Sequence, residues 1–221
     1  MSLILNIDTA VQTSSVCLAS SEKILGFKIN PSQKDSAAWL HVAIKELLEE
    51  QKILLNDVKA IAISEGPGSY TGLRVGMSAA KGFCYALNIP LVMVSTLQMM
   101  ASAGLHLSAD LYCPMIDARR MEIFTAVYDK SLKAVLHPQT MVINENSFSD
   151  FLENNRIVFF GNGSAKFKGL IEHANADFQQ VEAIAKHMVS LSLFKYKQGQ
   201  FSPLVYAEPF YGKDFHSSSV K

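Results

Sequence analysis

Apolar positions along the chain come in two periods, and the order in which these alternate predicts an α/β protein. Leu3 to Asp8, Ser14 to Ser20 and Ile24 to Ile29 are short runs that read as three strands joined by tight turns, with Ser20-Ser21-Glu22-Lys23 at a hairpin tip. From Ser36 to Gln51 the period changes. Leu40, Ile44, Leu47 and Leu48 recur at steps of three and four, which gives a helix with one buried stripe. Lys59 to Ser64 reads as a buried strand, Gly66 to Gly72 as a glycine-rich turn, and Leu73 to Leu87 as a second helix ended by Asn88-Ile89-Pro90. Leu91 to Val94 is a further strand, and Ser95 caps a third helix running through Ala103.

A second unit opens near Leu107. Asp110 to Ile116 and Met121 to Asp129 repeat the strand-turn-strand opening, with Lys133 to Val135 as an extension. Strands are expected at Thr140 to Ile143 and Arg156 to Phe160, and helices at Ser147 to Asn154 and Glu182 to Tyr196. The expectation is therefore two similar α/β halves, residues 1–106 and 107–221. Each is a mixed sheet with packed helices, and the second ends in an irregular tail from Gly199 to Lys221.

Composition narrows the function. Among 221 residues, 49% are hydrophobic and 18% charged, which excludes a disordered chain. Twenty basic residues balance twenty acidic ones, which argues against a stand-alone nucleic-acid binder but not against a subunit of a nucleic-acid enzyme. Cys17, Cys84 and Cys113 are an odd set without CxxC spacing, so a disulfide framework and a cysteine zinc site are both poorly supported. No secretory leader or membrane span is read from the sequence, and the cytoplasm is the expected compartment.

Candidate chemistry gathers at three places. Gly66-Pro67-Gly68-Ser69-Tyr70-Thr71-Gly72-Leu73-Arg74 lies between a strand and a helix, where backbone N–H groups can hold an anion, with Thr71 as a helix cap and Arg74 close by. The same residues could form only a tight turn. No Gly-Lys-Ser/Thr follows, so this is not a P-loop, and the spacing is not that of a dinucleotide fingerprint. Asp8 with Thr9, and Asp117 with Arg119, each sit where a strand enters a turn, one in each half. Two-lobed kinases and actin-like ATPases hold nucleotide phosphates on such hairpins, but they need glycine there, and neither turn has one. Those acids could equally serve turn formation alone. The six histidines (His41, His106, His137, His173, His187, His216) show no HxxH or HxxxH pair, so no metal site is assigned.

Helix faces supply the third candidate. Gly72, Gly76, Ala79, Ala80 and Phe83 share one face of the second helix and, with Leu73, form a small-residue surface suited to close helix packing. Trp39, Val42 and Ala43 lie off the stripe of the first helix and are expected beside them as a partner surface, unless Gly76 merely packs against its own sheet.

Three motifs carry a family resemblance. They are Ile4-Leu5-Asn6-Ile7-Asp8-Thr9-Ala10, then Gly66 through Gly76, then Ile116-Asp117-Ala118-Arg119-Arg120. Together they resemble the bacterial TsaB (YeaZ) family of tRNA threonylcarbamoyladenosine biosynthesis proteins. Gly161-Asn162-Gly163 and Glu208-Pro209-Phe210-Tyr211 fit that family's later landmarks. Asp35-Ser36 stands where the family often has His-Ser, and Gly212-Lys213 stands where it has Leu-Arg.

The resemblance implies an actin-like, two-lobed fold and a non-catalytic subunit without a cofactor of its own. It pairs such a subunit with the TsaD paralogue, which transfers the threonylcarbamoyl group to N6 of the adenosine 3′ of the anticodon in tRNAs reading codons that begin with A. It adds the TsaE ATPase to the larger complex, brings in tRNA only through that complex, and leaves open a homodimer of the isolated chain and nucleotide at the partner interface. The competing readings are an ATP-dependent phosphotransferase of the same fold and a peptidase.

Overall fold

The computed structural model of the chain describes residues 2–21, 23–30 and 35–213. Glu22 of the hairpin tip, His216 and the end of the tail lie outside them. The first half folds as β1 (Leu3–Asp8), β2 (Ser15–Ser20), β3 (Lys23–Ile29), α1 (Ser36–Glu50), β4 (Ala60–Gly66), α2 (Tyr70–Leu87), β5 (Leu91–Ser95) and α3 (Thr96–Gly104). The second half follows with β6 (Leu111–Asp117), β7 (Glu122–Tyr128), β8 (Ala134–Val142), α4 (Ser149–Leu152), β9 (Ile157–Phe160), α5 (Ser164–Lys168), β10 (Ala176–Phe178) and α6 (Val189–Lys197).

The two sheets share one plan. The first has the order β3-β2-β1-β4-β5 and the second, read from its other edge, β8-β7-β6-β9-β10. In both, the first strand pairs antiparallel with the second and parallel with the fourth, so the hairpins lie on one side and the crossovers on the other. Asp8 and Asp117 are the last residues of the equivalent strands β1 and β6.

Strand β1 is buried along its whole length because helices cover both faces of its sheet. Leu5 and Ile7 point with Ile61 and Ile63 into a core under α1 and α2. Ile4 points the other way, with Ala62 and Val94, into a larger core. That core continues through Leu97 and Met100 of α3 to Tyr112, Phe124 and Phe160 of the second sheet, so α3 is the layer between the lobes. A third core, with Phe148, Phe159 and Phe167 in mutual edge contact, fills the outer side of the second lobe.

Several elements differ from the expectation. Helix α2 starts at Tyr70, three residues early, because the Ser69 side chain caps it by accepting from Gly72 N. Thr71 is therefore an exposed residue of the first turn and not the cap. Strand β8 is one nine-residue strand where two pieces were expected. The helix expected from Glu182 starts late: Ile184 is extended and donates its N–H to His187 Nδ1, then one 3-10 turn leads into α6. This segment packs back on the first lobe. Ala185 N donates to Ser15 Oγ, Ser192 Oγ to the buried Asn6 Oδ1, and Lys195 Nζ to Met93 O. No helix among the described residues is long and apolar enough to cross a membrane.

Candidate functional site

The turn after Asp8 is closed by the chain itself. Asp8 is fully buried, and its Oδ1 accepts from Ser64 Oγ at 2.6 Å and from Ala10 N at 3.0 Å. Its Oδ2 has no hydrogen-bond partner among the described residues, and burial pushes the carboxyl up to about 6. Thr9 Oγ1 donates to Gly72 O at 2.7 Å, and Ser69 N donates to Ala10 O at 2.8 Å. The glycines make this fit. A Cβ on Gly68 would stand 2.2 Å from Ala10 O, one on Gly72 2.0 Å from Thr9 O, and one on Gly76 2.2 Å from Thr9 Oγ1 and 2.9 Å from Ile63. Their spacing lets α2 press directly against the β1 turn, with no space left between helix and turn at these positions.

Arg74 is committed elsewhere. Its guanidinium stacks 4.2 Å from the centre of the Tyr70 ring, and its Nε donates to Tyr211 Oη. Tyr211 belongs to a strap, residues 207–213, that runs between the lobes. Phe210 N donates to Glu65 O, Thr140 Oγ1 donates to Gly212 O at 2.5 Å, and Lys213 reaches Ala118 O and Glu122. Gly66 (φ 116°) accommodates the strap, because a Cβ there would meet Phe210 O. Burial raises the pKa of neighbouring Glu65.

The second acid is open to solvent. Asp117 Oδ1 accepts from Lys166 Nζ at 2.6 Å and from Arg119 N, and these hold its carboxyl below the usual range. Asn162 Oδ1 accepts from Asp117 N, which joins Gly161-Asn162-Gly163 to this tip. The structure thus does not gather the predicted anion residues into one site. Asp8, Thr9 and Gly66 are buried in the fold, Gly68 is half-buried against the Ala10 carbonyl and Ser69 is the exposed cap of α2, whereas Asp117 and Arg119 form a separate exposed tip. Among those described residues no three His, Cys, Asp or Glu side chains come together in a manner suited to a metal. The three cysteines are free and buried, and burial raises Cys17 and Cys113 to about 12.

The helix surface also needs correction. Gly72, Leu73, Gly76, Ala79 and Ala80 are buried in the lobe's own core, and so is Ala43 of α1, so the glycine-alanine face packs on the sheet and not outward. Trp39 is half-buried against the same core, and Val42 is exposed. The outward face lies about a quarter turn round α2. There Val75, Ser78, Gly82, Phe83 and Ala86, with Ala37 and His41 of α1, line an apolar groove of about 700 Å³. Phe83 and His41 are in ring contact at 5.6 Å. Gly82 borders this groove, and no neighbouring atom lies within 4 Å of where its side chain would stand, so internal packing does not require a glycine there.

Two mixed sheets of five strands, equivalent in topology and joined through a shared core, define a two-lobed protein of the actin-like ATPase fold. A structure from Pseudomonas aeruginosa, described as an uncharacterized protein with similarity to peptidase YeaZ, superposes with a TM-score of 0.86 over 96% of this chain and 100% of that one, at 24% identity. The Clostridium difficile activator of 2-hydroxyisocaproyl-CoA dehydratase, with bound ADPNP, superposes at TM-score 0.50 and 8% identity over 90% and 97%. A family model for TsaD, tRNA N6-adenosine threonylcarbamoyltransferase, matches residues 23–198. The tRNA threonylcarbamoyladenosine biosynthesis protein TsaB of Bacillus subtilis is 30% identical over 177 residues, 76% of this chain and 75% of that protein. The chain belongs to the TsaB branch of this threonylcarbamoyladenosine family.

Proposed function

We propose that the chain is a non-catalytic, activating subunit in the synthesis of threonylcarbamoyladenosine in tRNA, working in the cytoplasm beside a TsaD-type transferase. The observation that carries this reading is the closed turn after Asp8. A catalytic member of the fold needs both hairpins open to a nucleotide, and here the Thr9 and Ala10 carbonyls face Gly72 and Gly68 with no room between them. The same observation opposes an ATP-dependent phosphotransferase.

The transferase docks on the α1–α2 groove, where two helices from each subunit pack together. The TsaE ATPase joins that assembly, nucleotide binds only at the shared interface, and the isolated chain dimerises through the same groove. Gly82 leaves room for a crossing helix. The test is co-purification with the TsaD homologue of the same cell, followed by threonylcarbamoyl transfer and ATP turnover with each subunit alone and with both. Transfer is expected only with both. Transfer or steady ATP turnover by this chain alone overturns the proposal.

A further inference from the structure

The β6–β7 hairpin turns tightly, with Ala118 N donating to Glu122 O and Glu122 N to Arg119 O, and it carries two adjacent arginines at its tip. Arg119 and Arg120 both adopt left-handed conformations, φ 70° and 49°. Glycine and asparagine occupy that region far more easily than a long side chain does. Both arginines are exposed, and neither is within ion-pair distance of an acid among the described residues. The nearby acids are already taken, Asp117 by Lys166 and Glu122 by Lys213. Two positive charges are therefore left over on a projecting turn of a chain whose total charge is zero. Beside them is a recess of about 490 Å³ that Thr140 and Lys213 also line. The turn therefore holds two guanidiniums, unpaired among the described residues, side by side in solvent, next to that recess.

We propose that Arg119 and Arg120 are a phosphate-recognition site for the phosphodiester backbone of RNA. This deepens the reading above, since the RNA is the tRNA being modified. An RNA strand suits the site better than a free nucleotide does. The tip has no glycine N–H cradle to enclose a terminal phosphate, whereas adjacent guanidiniums on a protruding turn can bracket successive phosphates of an extended polyanion. Such contacts position RNA without reading its sequence.

The test uses the complex with the transferase subunit and an unmodified tRNA transcript, with binding measured between about 50 and 200 mM salt. Replacing Arg119→Asn together with Arg120→Gly removes both charges and relieves both left-handed positions. The expected result is a loss of about two in the slope of log affinity against log salt, about one per phosphate contact. KM for tRNA should rise on the order of tenfold at unchanged kcat, and Tm should rise. Arg119→Lys with Arg120→Lys should keep the slope. Arg156→Asn, which removes a charge just before β9, should leave it unchanged.

An unchanged slope and KM in the Asn-Gly variant overturn the proposal, as does an unchanged or lower Tm. ATP titration is the remaining arm: loss of ATP affinity with tRNA binding intact makes the ligand a nucleotide and also overturns it. Failure of the wild-type complex to transfer threonylcarbamoyl would count against the function proposed above, while the tRNA slopes would still decide this site.

Discussion

Gly76 and Gly82 lie in the same helix, and their environments give opposite expectations. At Gly76 any side chain meets Thr9 Oγ1 and Ile63, so Gly76→Leu should destabilise the isolated chain by on the order of 3 kcal/mol or more, seen as a lower urea midpoint. At Gly82 the space is open, so Gly82→Leu should keep or raise stability, because glycine costs a helix about 1 kcal/mol relative to alanine. The same variant should block the groove and abolish co-purification with the transferase. Normal partner binding by Gly82→Leu would move the interface elsewhere. Asp8 supplies a pH effect. Its folded pKa of about 6 lies above the ordinary aspartate value of 3.8, so the folded state binds the proton more tightly. Stability from this group is full at low pH and is lost as pH rises from about 4 through about 6, by roughly 3 kcal/mol. Urea titrations of wild type and Asp8→Asn should show their stability difference changing by that amount across this window; a constant difference would sink the assignment. Asp8, Asp117 and the glycine run stand out in the sequence because strand ends and glycines are local signals. Which face of α2 the glycines use is not legible there. Gly76 and Gly82 lie on different faces of the helix, and only the Thr9 side chain, 67 residues before Gly76 in sequence, shows which of those faces is buried.

Long, periodic elements were readable and short ones were not. Strand β1, the α1 stripe and the span of α2 follow from apolar spacing alone, apart from the start that Ser69 sets. Strand β10 has three residues and α5 has five, too few for a period to show. The 3-10 turn before α6 depends on the bond from Ile184 N to His187, which no hydrophobic pattern encodes. The strap was expected to be irregular, and its course between the lobes rests on backbone bonds that carry no composition signal. It gives a prediction of its own. Gly66→Ala would place a Cβ 2.1 Å from Phe210 O in a left-handed position, so the strap should be displaced while the sheets stay folded. Limited proteolysis should then cut within residues 207–213 of the variant faster than in wild type, with the rest of the chain resistant. Equal cutting in the two proteins would show that the strap does not depend on Gly66.

The two lobes are separate in sheet topology but not in packing. One core runs from Ile4 and Val94 through α3 to Phe124 and Phe160. Calorimetry should therefore record a single unfolding transition with a van't Hoff enthalpy equal to the calorimetric one, although chains of this length commonly unfold in steps. Two separate transitions would mean that the shared core does not couple the lobes. The division into halves was visible as a repeat of element order. The coupling is not, because it depends on how α3 packs between the sheets and on the return of the chain after Val181 to the first lobe. That return has a consequence for synthesis in the cell. Cys17 and Ala19 of β2 are covered by Ala185 and Val189, and Asn6 is satisfied by Ser192. At roughly 5 to 20 residues per second, the ribosome makes those covering residues many seconds after the strands they seal. Throughout that interval the part of this face formed by β2 and Asn6 stays bare. Chaperones that bind exposed apolar surface are thus expected to meet this polypeptide during translation more than after release.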